Sequence, residues 1–205
     1  MAQPLTQPRT KSDIVSSEAE RLILVDAADR AVGELDKSAC HDGEGILHRA
    51  FSVFVFNEAG QLLIQRRASG KRLWPDTWSN SCCSHPRVGE VLQDAVGRRV
   101  EQELGLRIDA EFIYKFEYHA RYRDLGSECE LCSVFLARAA RPPVINTTEI
   151  GAWRWIDAAA LDAELAAPDS PFTPWLRLEW ASLRSTHADR LRAYGVAPLR
   201  QDAAP

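Results

Sequence analysis

Residues 89–106 read GEVLQDAVGRRVEQELGL and contain the pattern that decides the fold. From Asp94 to Leu104 the apolar side chains recur at the spacing of one helical face, and Gly105 follows where a left-handed residue often ends a helix. This pattern predicts an amphipathic helix over 94–104 whose outer face carries mixed charges. Strand-like segments precede and follow it, which indicates a fold that combines helices with a sheet.

The strand-like segments are rich in apolar, aromatic and β-branched residues. They are expected at 21–25, 51–56, 61–67, 111–119, 130–137 and 150–156, and 51–67 should form a hairpin around the turn at 57–60. Asp157 can cap a short helix that ends before Pro168, and a last helix is expected from about Pro174 to Ala193. This order predicts an α+β fold in which a mixed β-sheet is sandwiched by α-helices.

The length and composition indicate one ordinary globular domain. The 205 residues suit a single domain over 20–194, between a flexible N-terminal tail, 1–19, and a flexible C-terminal tail, 195–205. Hydrophobic residues make up 45% and charged residues 26%, which is typical of a soluble protein with its own core. The net charge of −4 argues against a nucleic-acid partner. Because the chain has neither a membrane-length apolar run nor a secretory signal, we expect a cytoplasmic protein without a membrane partner.

Residues 74–86, WPDTWSNSCCSHP, match neither a helix nor a strand pattern. A loop that is rich in Trp and Pro is rigid, and rigid aromatic loops often build functional sites. The chain has five cysteines, an odd number that in a cytoplasmic protein favours ligation or catalysis over a disulfide framework. The alternative is a buried structural loop whose cysteines pack as small hydrophobic residues.

Three histidines and two glutamates form a candidate metal site. His41 and His48 lie on either side of a glycine-containing segment, and His85 lies near the end of the loop 74–86. Glu128 and Glu130 are two apart on a predicted strand, so their side chains share one face and repel each other unless a cation or water separates them. Separately, these motifs could be an incidental histidine pair and a solvated strand edge. Together they suit a divalent transition metal such as Mn, Zn or Fe.

The predicted helix 94–104 and its flanks resemble a degraded Nudix box, a loop–helix–loop that holds diphosphate through divalent cations. Aligned on Gly105, the residues Glu90, Arg98 and Glu103 match the box, whereas Ser84, Arg99 and Gln102 stand where it has Gly, Glu and Glu. Nudix hydrolases use these carboxylates to hold several metals and activate water. The loss of the two glutamates at positions 99 and 102 should weaken hydrolysis, although Glu103 can still hold one metal. The alternative is an amphipathic surface helix.

A diphosphate also needs several cationic donors, and arginine supplies them in bidentate geometry. Candidates for this role are Lys37, Arg67, Lys71 and Arg99. Any one of them alone could be an ordinary surface charge.

Over residues 21 to about 180 the sequence resembles type I isopentenyl diphosphate isomerase. The resemblance rests on Asn80-Ser81-x-Cys83-x-His85-Pro86, on Glu128-Cys129-Glu130, and on Lys37, His41, His48, Trp74, Glu103 and Thr173-Pro174-Trp175 in the same order. It implies a Nudix-like fold and an isomerase that interconverts isopentenyl and dimethylallyl diphosphate in isoprenoid biosynthesis.

The resemblance also implies the role of each site residue. One divalent ion, Mn²⁺, Zn²⁺ or Mg²⁺, would be held by His41, His48, His85, Glu128 and Glu130, and Glu103 would help to hold a Mg²⁺ that bridges to the substrate diphosphate. Lys37, Arg67, Lys71 and Arg99 would contact the diphosphate. The catalytic residues would be the Cys83 thiol, the Glu130 carboxylate with Tyr118 beside it, and Trp175 over the carbocation.

The expected mechanism adds a proton at C4 of the substrate and removes another from C2, with tertiary carbocation character between the two steps. We expect the side of Glu130 and Tyr118 to deliver the proton and the side of Cys83 to remove the other, in a monomer whose partner is the small isoprenoid diphosphate. One alternative is a Nudix diphosphohydrolase that cleaves a nucleotide or prenyl diphosphate. Another is a non-catalytic, metal-stabilised binding module.

Overall fold

A computed structural model describes residues 14–199. Most of the two predicted tails, 1–19 and 195–205, lies outside the described residues, and their flexibility stays a prediction. Within the described part, Val15 and Ser16 accept hydrogen bonds from Arg99 and Lys37 at 2.7 and 2.8 Å, so this end of the chain contacts the domain. Among residues 14–199, no helix combines the length and the apolar run that crossing a bilayer requires.

The chain forms a mixed sheet and several helices. The strands are β1 (Arg21–Val25), β2 (Ala31–Asp36), β3 (His48–Phe56), β4 (Leu62–Arg67), β5 (Trp78–Ser79), β6 (Cys82–Ser84), β7 (Ala110–Tyr122), β8 (Gly126–Arg138) and β9 (Ile150–Ile156). The helices are α1 (Lys37–Cys40), α2 (Leu92–Leu104), α3 (Ala158–Ala166), α4 (Pro174–Ser185) and α5 (Ala188–Ala193). The predicted α+β fold with a mixed sheet is therefore confirmed.

Strands β3 and β8 run parallel at the centre of the sheet, from the pair His48 and Glu130 to the pair Phe56 and Arg138. Strand β7 continues the sheet as the antiparallel neighbour of β8. The other edge of β3 meets β1, β6 and β4 in turn, and β4 also pairs with β9 and β5. One end of β3 is therefore surrounded by β1, β6 and β8, and the site lies there.

The two faces of β3 are covered by different helices. Phe51, Val53 and Val55 point to the face covered by α2, where they pack in one cluster with Val96 and Val100. Because side chains alternate along a strand, Phe54 and Phe56 point to the opposite face, and they form a second cluster with α3, α4 and α5. The sheet is thus sandwiched by helices, as the sequence predicted.

Helix α2 begins two residues earlier than predicted, at Leu92, and ends where predicted. Gly105 caps it with a φ of 63°, and a Cβ at this position would lie 3.1 Å from the Val144 carbonyl oxygen. A side chain is thus excluded both by the left-handed backbone and by the close neighbour. The guanidinium of Arg98 donates to both carboxylate oxygens of Glu90, at 2.6 and 2.7 Å, and ties the preceding loop to the helix.

The structure differs from the sequence-based expectation in three places. The single helix predicted to Ala193 is two helices, since α4 ends at Ser185 and α5 starts at Ala188 after Thr186 and His187, both weak helix formers. Strand β2 and helix α1 were not predicted. Strand β2 is an edge strand with exposed and half-buried side chains, so it lacks the apolar alternation that marks a core strand. The loop 74–86 contains the short strands β5 and β6.

Candidate active site

The structure brings the five predicted metal ligands together. One ligand atom from each of His41, His48, His85, Glu128 and Glu130 lies within 4.8 Å of all the others, and all five side chains are buried. Two carboxylates in such a buried cluster are stable only with positive charge beside them. A buried group of three imidazoles and two carboxylates is compatible with a divalent metal ion.

The sheet register explains why these residues meet. His48 opens β3 and is paired with Glu130 on β8, and Glu128 lies on the same face of β8 two residues before. His85 directly follows β6, which pairs with β3, and His41 directly follows α1. Residues that are distant in the chain are thus aligned at one end of the strands.

Gly126 lets the start of β8 approach His41. A Cβ on Gly126 would lie 2.1 Å from the His41 carbonyl oxygen, and the glycine has a φ of 146°. The next residue, Ser127, donates its backbone N–H to the same carbonyl at 3.0 Å. Only glycine fits there, and its absence of a side chain keeps His41 against the strand that carries Glu128.

The hydrogen bonds of the imidazoles turn their free nitrogens toward the centre of the cluster. Nδ1 of His41 lies 2.7 Å from the Lys37 carbonyl, and Nδ1 of His48 lies 2.7 Å from the Ile46 carbonyl. A carbonyl only accepts, so both Nδ1 atoms carry hydrogen and both Nε2 atoms offer lone pairs, the arrangement that metal-binding histidines use.

The distances between these nitrogen lone pairs and the neighbouring acceptor atoms are consistent with a bound cation. His48 Nε2 lies 3.2 Å from His85 Nε2. Glu128 Oε2 lies 2.8 Å from His41 Nε2, yet it has no hydrogen-bond partner among the described residues. Acceptor atoms that face one another at such distances are stabilised by a positive ion between them.

The ionisation of the cluster also suits ligation. Burial lowers the pKa of His85 to about 3, so this imidazole is neutral near pH 7. Burial alone would raise the pKa of Glu130, but the neighbouring side chains of His48 and His85 outweigh it and hold that pKa well below its usual range. Neutral imidazole and ionised carboxylate are the forms that bind metals.

Tyr118 lies beside Glu130. Its hydroxyl donates to Glu130 Oε2 at 2.7 Å, because the two residues are register partners on β7 and β8. Burial, followed by the negative charge of Glu130, raises the pKa of Tyr118 well above its usual value. The phenol therefore keeps its proton and donates it in a buried hydrogen bond to Glu130.

Cys83 lies in the same pocket as Tyr118 and Glu130. Its thiol donates to Asn80 Oδ1 at 2.8 Å and lies 3.4 Å from the hydroxyl of Ser52, its register partner on β3. Burial raises the pKa of the thiol. Polar contacts thus fix the position of the sulfur.

Trp175, the second residue of α4, is almost fully buried at the pocket. Its indole N–H donates to Ser79 Oγ at 2.9 Å, and Trp74 packs against the ring edge-on with 5.2 Å between centroids. The guanidinium carbon of Arg67 lies 5.3 Å from the ring centroid. The ring is therefore fixed, and its face already accepts a positive charge.

The four predicted cations line this pocket as well: Lys37, Arg67, Lys71 and Arg99. Glu149 is paired with Lys71 and lies 3.5 Å from Arg99, so it partly compensates their charges. Burial, followed by the charge of Lys71, lowers the pKa of Lys37. This wall of the pocket carries the charge that attracts an anion.

Glu103 is separate from the five-residue cluster. It is 3% exposed and forms an ion pair with Arg99, one turn earlier on α2. Arg99 in turn contacts Glu149, so Glu103 lies at the cationic wall. The structure leaves its predicted role as a Mg²⁺ ligand untested.

Several residues of the site were not assigned roles from the sequence. Asn80 contacts the Cys83 sulfur, and it belongs to the motif that carried the resemblance. Glu149 has no pattern around it that could have marked it. Glu179 follows Trp175 by one helical turn, so an acid on the inward face of an apolar helix was the available signal.

Comparisons with known proteins agree with this geometry. Residues 46–176 match the model of the NUDIX domain family. The chain is 42% identical over 174 residues to "Isopentenyl-diphosphate Delta-isomerase 1" of Photorhabdus laumondii, covering 84% of this chain and 99% of the relative. It is 42% identical over 170 residues to "Isopentenyl-diphosphate Delta-isomerase" of Burkholderia multivorans, covering 82% and 96%.

Solved structures share the fold. The crystal structure of DR0079 from Deinococcus radiodurans has a TM-score of 0.64 at 24% identity, covering 78% of this chain and 96% of that one. The MutT protein of Methanosarcina mazei has a TM-score of 0.55 at 15% identity, covering 73% and 95%. At these identities the likeness extends to the fold alone.

Proposed function

This chain belongs to the isopentenyl-diphosphate Delta-isomerases, a group of NUDIX-domain proteins, and from this premise we propose that it interconverts isopentenyl and dimethylallyl diphosphate with Cys83 and Glu130 as its proton-transfer residues. The observation that carries the proposal is one pocket lined by the thiol, by the carboxylate with its phenol, by a fixed indole, and by the four predicted cations together with Arg72. A thiol and an indole have no evident role in hydrolysis of a diphosphate, whereas a thiol that transfers a proton and an indole that stabilises a cation suit the movement of a double bond.

The reaction requires an acid, a base and a dry pocket. Addition of a proton to C4 of the alkene leaves a tertiary cation at C3, and removal of a proton from C2 forms the new double bond between C2 and C3. Atoms and charge balance, because one proton enters and one leaves. Positioned acid–base groups supply the main part of such catalysis.

The side of Glu130 and Tyr118 delivers the proton to C4. Support comes from the 2.7 Å hydrogen bond, through which the pair holds one transferable proton next to the pocket. Cys83 acts as the base in its thiolate form, which takes the proton from C2 and becomes the thiol, and Asn80 and Ser52 hold its sulfur in place. In the reverse reaction the two groups exchange roles.

Trp175 stabilises the cationic intermediate through its ring face. A desolvated cation–π contact contributes about 2 kcal/mol. The guanidinium of Arg67, whose carbon lies 5.3 Å from the centroid of the same ring, supports this role. The hydrogen bond to Ser79 keeps the indole from turning away.

The metal cluster has a positioning role. A divalent ion, Mn²⁺, Zn²⁺ or Mg²⁺, held by His41, His48, His85, Glu128 and Glu130 would supply the positive charge that keeps Glu130 in place. A second ion, Mg²⁺, would bind through Glu103 together with the substrate diphosphate. Lys37, Arg67, Lys71 and Arg99 bind the diphosphate oxygens and anchor the substrate. The protein acts as a cytoplasmic monomer without a nucleic-acid or membrane partner.

The test is incubation of the purified protein with isopentenyl diphosphate and Mg²⁺ in deuterated water, with thiols kept reduced. We expect dimethylallyl diphosphate that contains deuterium and no release of phosphate. Phosphate release without isomerisation would instead establish a NUDIX hydrolase. Folding that depends on metal, with neither reaction, would indicate a non-catalytic module.

A further inference from the structure

Glu179 is a buried carboxyl group that has no cationic partner within residues 14–199. It lies on α4 with 0% exposure, one turn after Trp175. Its Oε1 accepts a hydrogen bond from the Cys132 thiol at 3.5 Å, and its Oε2 has no hydrogen-bond partner among the described residues. A charged carboxylate in such a place would be strongly destabilised, so the neutral acid is the favoured form.

Ser52 and Cys132 lie between Glu179 and the thiol of the proposed mechanism. The hydroxyl of Ser52 lies 3.4 Å from Cys83 Sγ and 3.5 Å from Cys132 Sγ, and Cys132 Sγ lies 3.5 Å from Glu179 Oε1. Ser52 and Cys83 are register partners on β3 and β6. The carboxyl group of Glu179 therefore lies in one buried cluster with the sulfur of Cys83, and the Ser52 hydroxyl is the neighbour of that sulfur within the cluster.

We propose that Glu179 is a positioning residue whose neutral carboxyl group donates to Ser52 Oγ and thereby directs the Ser52 proton to Cys83 Sγ. The inference rests on the proposed role of Cys83. A hydroxyl has one proton and two acceptor positions, so Ser52 cannot donate to the sulfur and to a carboxylate at the same time. When Glu179 is neutral, Ser52 donates to the sulfur and stabilises its thiolate form, which acts as the base. When Glu179 is ionised, the carboxylate captures the Ser52 proton and that support is lost.

The surroundings of Glu179 determine when it ionises. The polar groups that face it are Ser52 from β3, Cys83 from β6, Tyr114 from β7, and Cys132 and Glu130 from β8. None of these groups is cationic. The imidazole of His187 stacks on the ring of Tyr114, with 4.6 Å between the ring centroids. Burial raises the pKa of Glu179 to about 8, and the charge of Glu130 adds to this effect. Above that pH the carboxyl group is ionised and the proposed contact is broken.

The experiment measures kcat and KM between pH 6 and 9.5 for the wild type, Glu179→Gln and Glu179→Met. Since Gln keeps a donor that never ionises, we expect Glu179→Gln to retain kcat at pH 7 and to lack the alkaline decline that the wild type shows. Glu179→Met should lose about tenfold in kcat at unchanged KM, as expected for one lost hydrogen bond. Glu164→Gln on α3, half-exposed and paired with Arg154, is the matched control and should keep the wild-type profile.

The outcomes separate this inference from the proposed function. If the wild type does not isomerise isopentenyl diphosphate, both the proposed function and the proposed role of Glu179 are wrong. If the wild type isomerises it, the pH profiles of the variants test the role of Glu179 alone. That role is overturned if the wild type shows no alkaline decline, if Glu179→Gln declines at the same pH, or if Glu179→Gln is inactive at pH 7 with an unchanged near-ultraviolet circular dichroism spectrum. Glu179→Gln decides the question even if Glu179→Met does not fold.

Discussion

His48 Nε2 lies 3.7 Å from Glu130 Oε1, because these two residues are paired at the start of the parallel strands β3 and β8. The strand pairing thus builds the centre of the site. Tyr118 extends the same row onto β7. Any change that shifts this register should affect metal binding and proton transfer together.

His48→Ala should remove a ligand and lower the affinity for a divalent ion by at least about 100-fold. Even substitution of a residue that only hydrogen-bonds to a metal ligand lowers metal affinity about 10- to 100-fold. Metal content after dialysis checks this. His119→Ala is the matched control, because His119 is 46% exposed and contacts Glu44 outside the cluster. Equal metal content in the two variants would contradict the assignment.

Gly126→Ala should weaken metal binding and lower the free energy of unfolding by about 2 kcal/mol or more, because the added Cβ would meet the His41 carbonyl oxygen. Gly97→Ala in α2 is the control, since its Cβ meets nothing within 4 Å and alanine favours a helix. Urea unfolding and metal titration measure both effects. A Gly126→Ala protein with wild-type metal affinity would show that His41 does not depend on this contact.

Trp175→Leu should lower kcat about 30-fold, the equivalent of about 2 kcal/mol, if the ring face stabilises the cation. Trp175→Phe keeps an aromatic face and should lose less, although it also loses the hydrogen bond to Ser79. Steady-state kinetics with isopentenyl diphosphate compare the two. Equal losses would assign the effect to packing and remove the cation–π contact from the mechanism.

Glu149→Gln should destabilise the protein by about 3 kcal/mol at pH 7, because it leaves Lys71 and Arg99 without this compensating charge. Burial opposes ionisation of Glu149, but Lys71 and Arg99 outweigh it and lower its pKa from 4.5. A lowered pKa stabilises the fold above the pKa of the unfolded chain, and this contribution is lost as the pH falls through the folded pKa.

The difference between the wild type and Glu149→Gln should therefore shrink as the pH falls below about 4.5, the ordinary pKa of this group. Urea unfolding at several pH values measures it. Glu58→Gln, on an exposed turn, serves as the control and should leave stability unchanged. A difference that stays constant down to pH 3 would mean that the charge of Glu149 contributes nothing.

The periodic elements of the fold could be predicted from the sequence. Helix α2 was recognisable because Val96, Val100 and Leu104 repeat at helical spacing and Gly105 ends it. Strand β2 was not, since an edge strand with little burial needs no apolar pattern. The break after Ser185 was missed although Thr186 and His187 are weak helix formers, because propensity differences are small and the packing of α5 on the core also contributes.

For the site, the sequence identified most of the residues but not how they come together. Motif resemblance selected the residues of the metal cluster, the pocket cations and the proton-transfer pair. Their meeting depends on the register of β3 with β8, which spacing along the chain does not reveal. Glu149 and Glu179 were missed, because a lone acid shows its partners only after the fold brings them together.

The central claim is that the thiol of Cys83 and the carboxylate of Glu130 transfer different protons. The most direct measurement is deuterium exchange into isopentenyl diphosphate recovered from Cys83→Ala and Glu130→Gln in deuterated water, with Cys129→Ala as the control thiol variant. We predict that Cys83→Ala places deuterium at C4 without forming dimethylallyl diphosphate, and that Glu130→Gln does neither. Dimethylallyl diphosphate formed by Cys83→Ala at the wild-type rate, or no deuterium at C4 in that variant, would contradict the account.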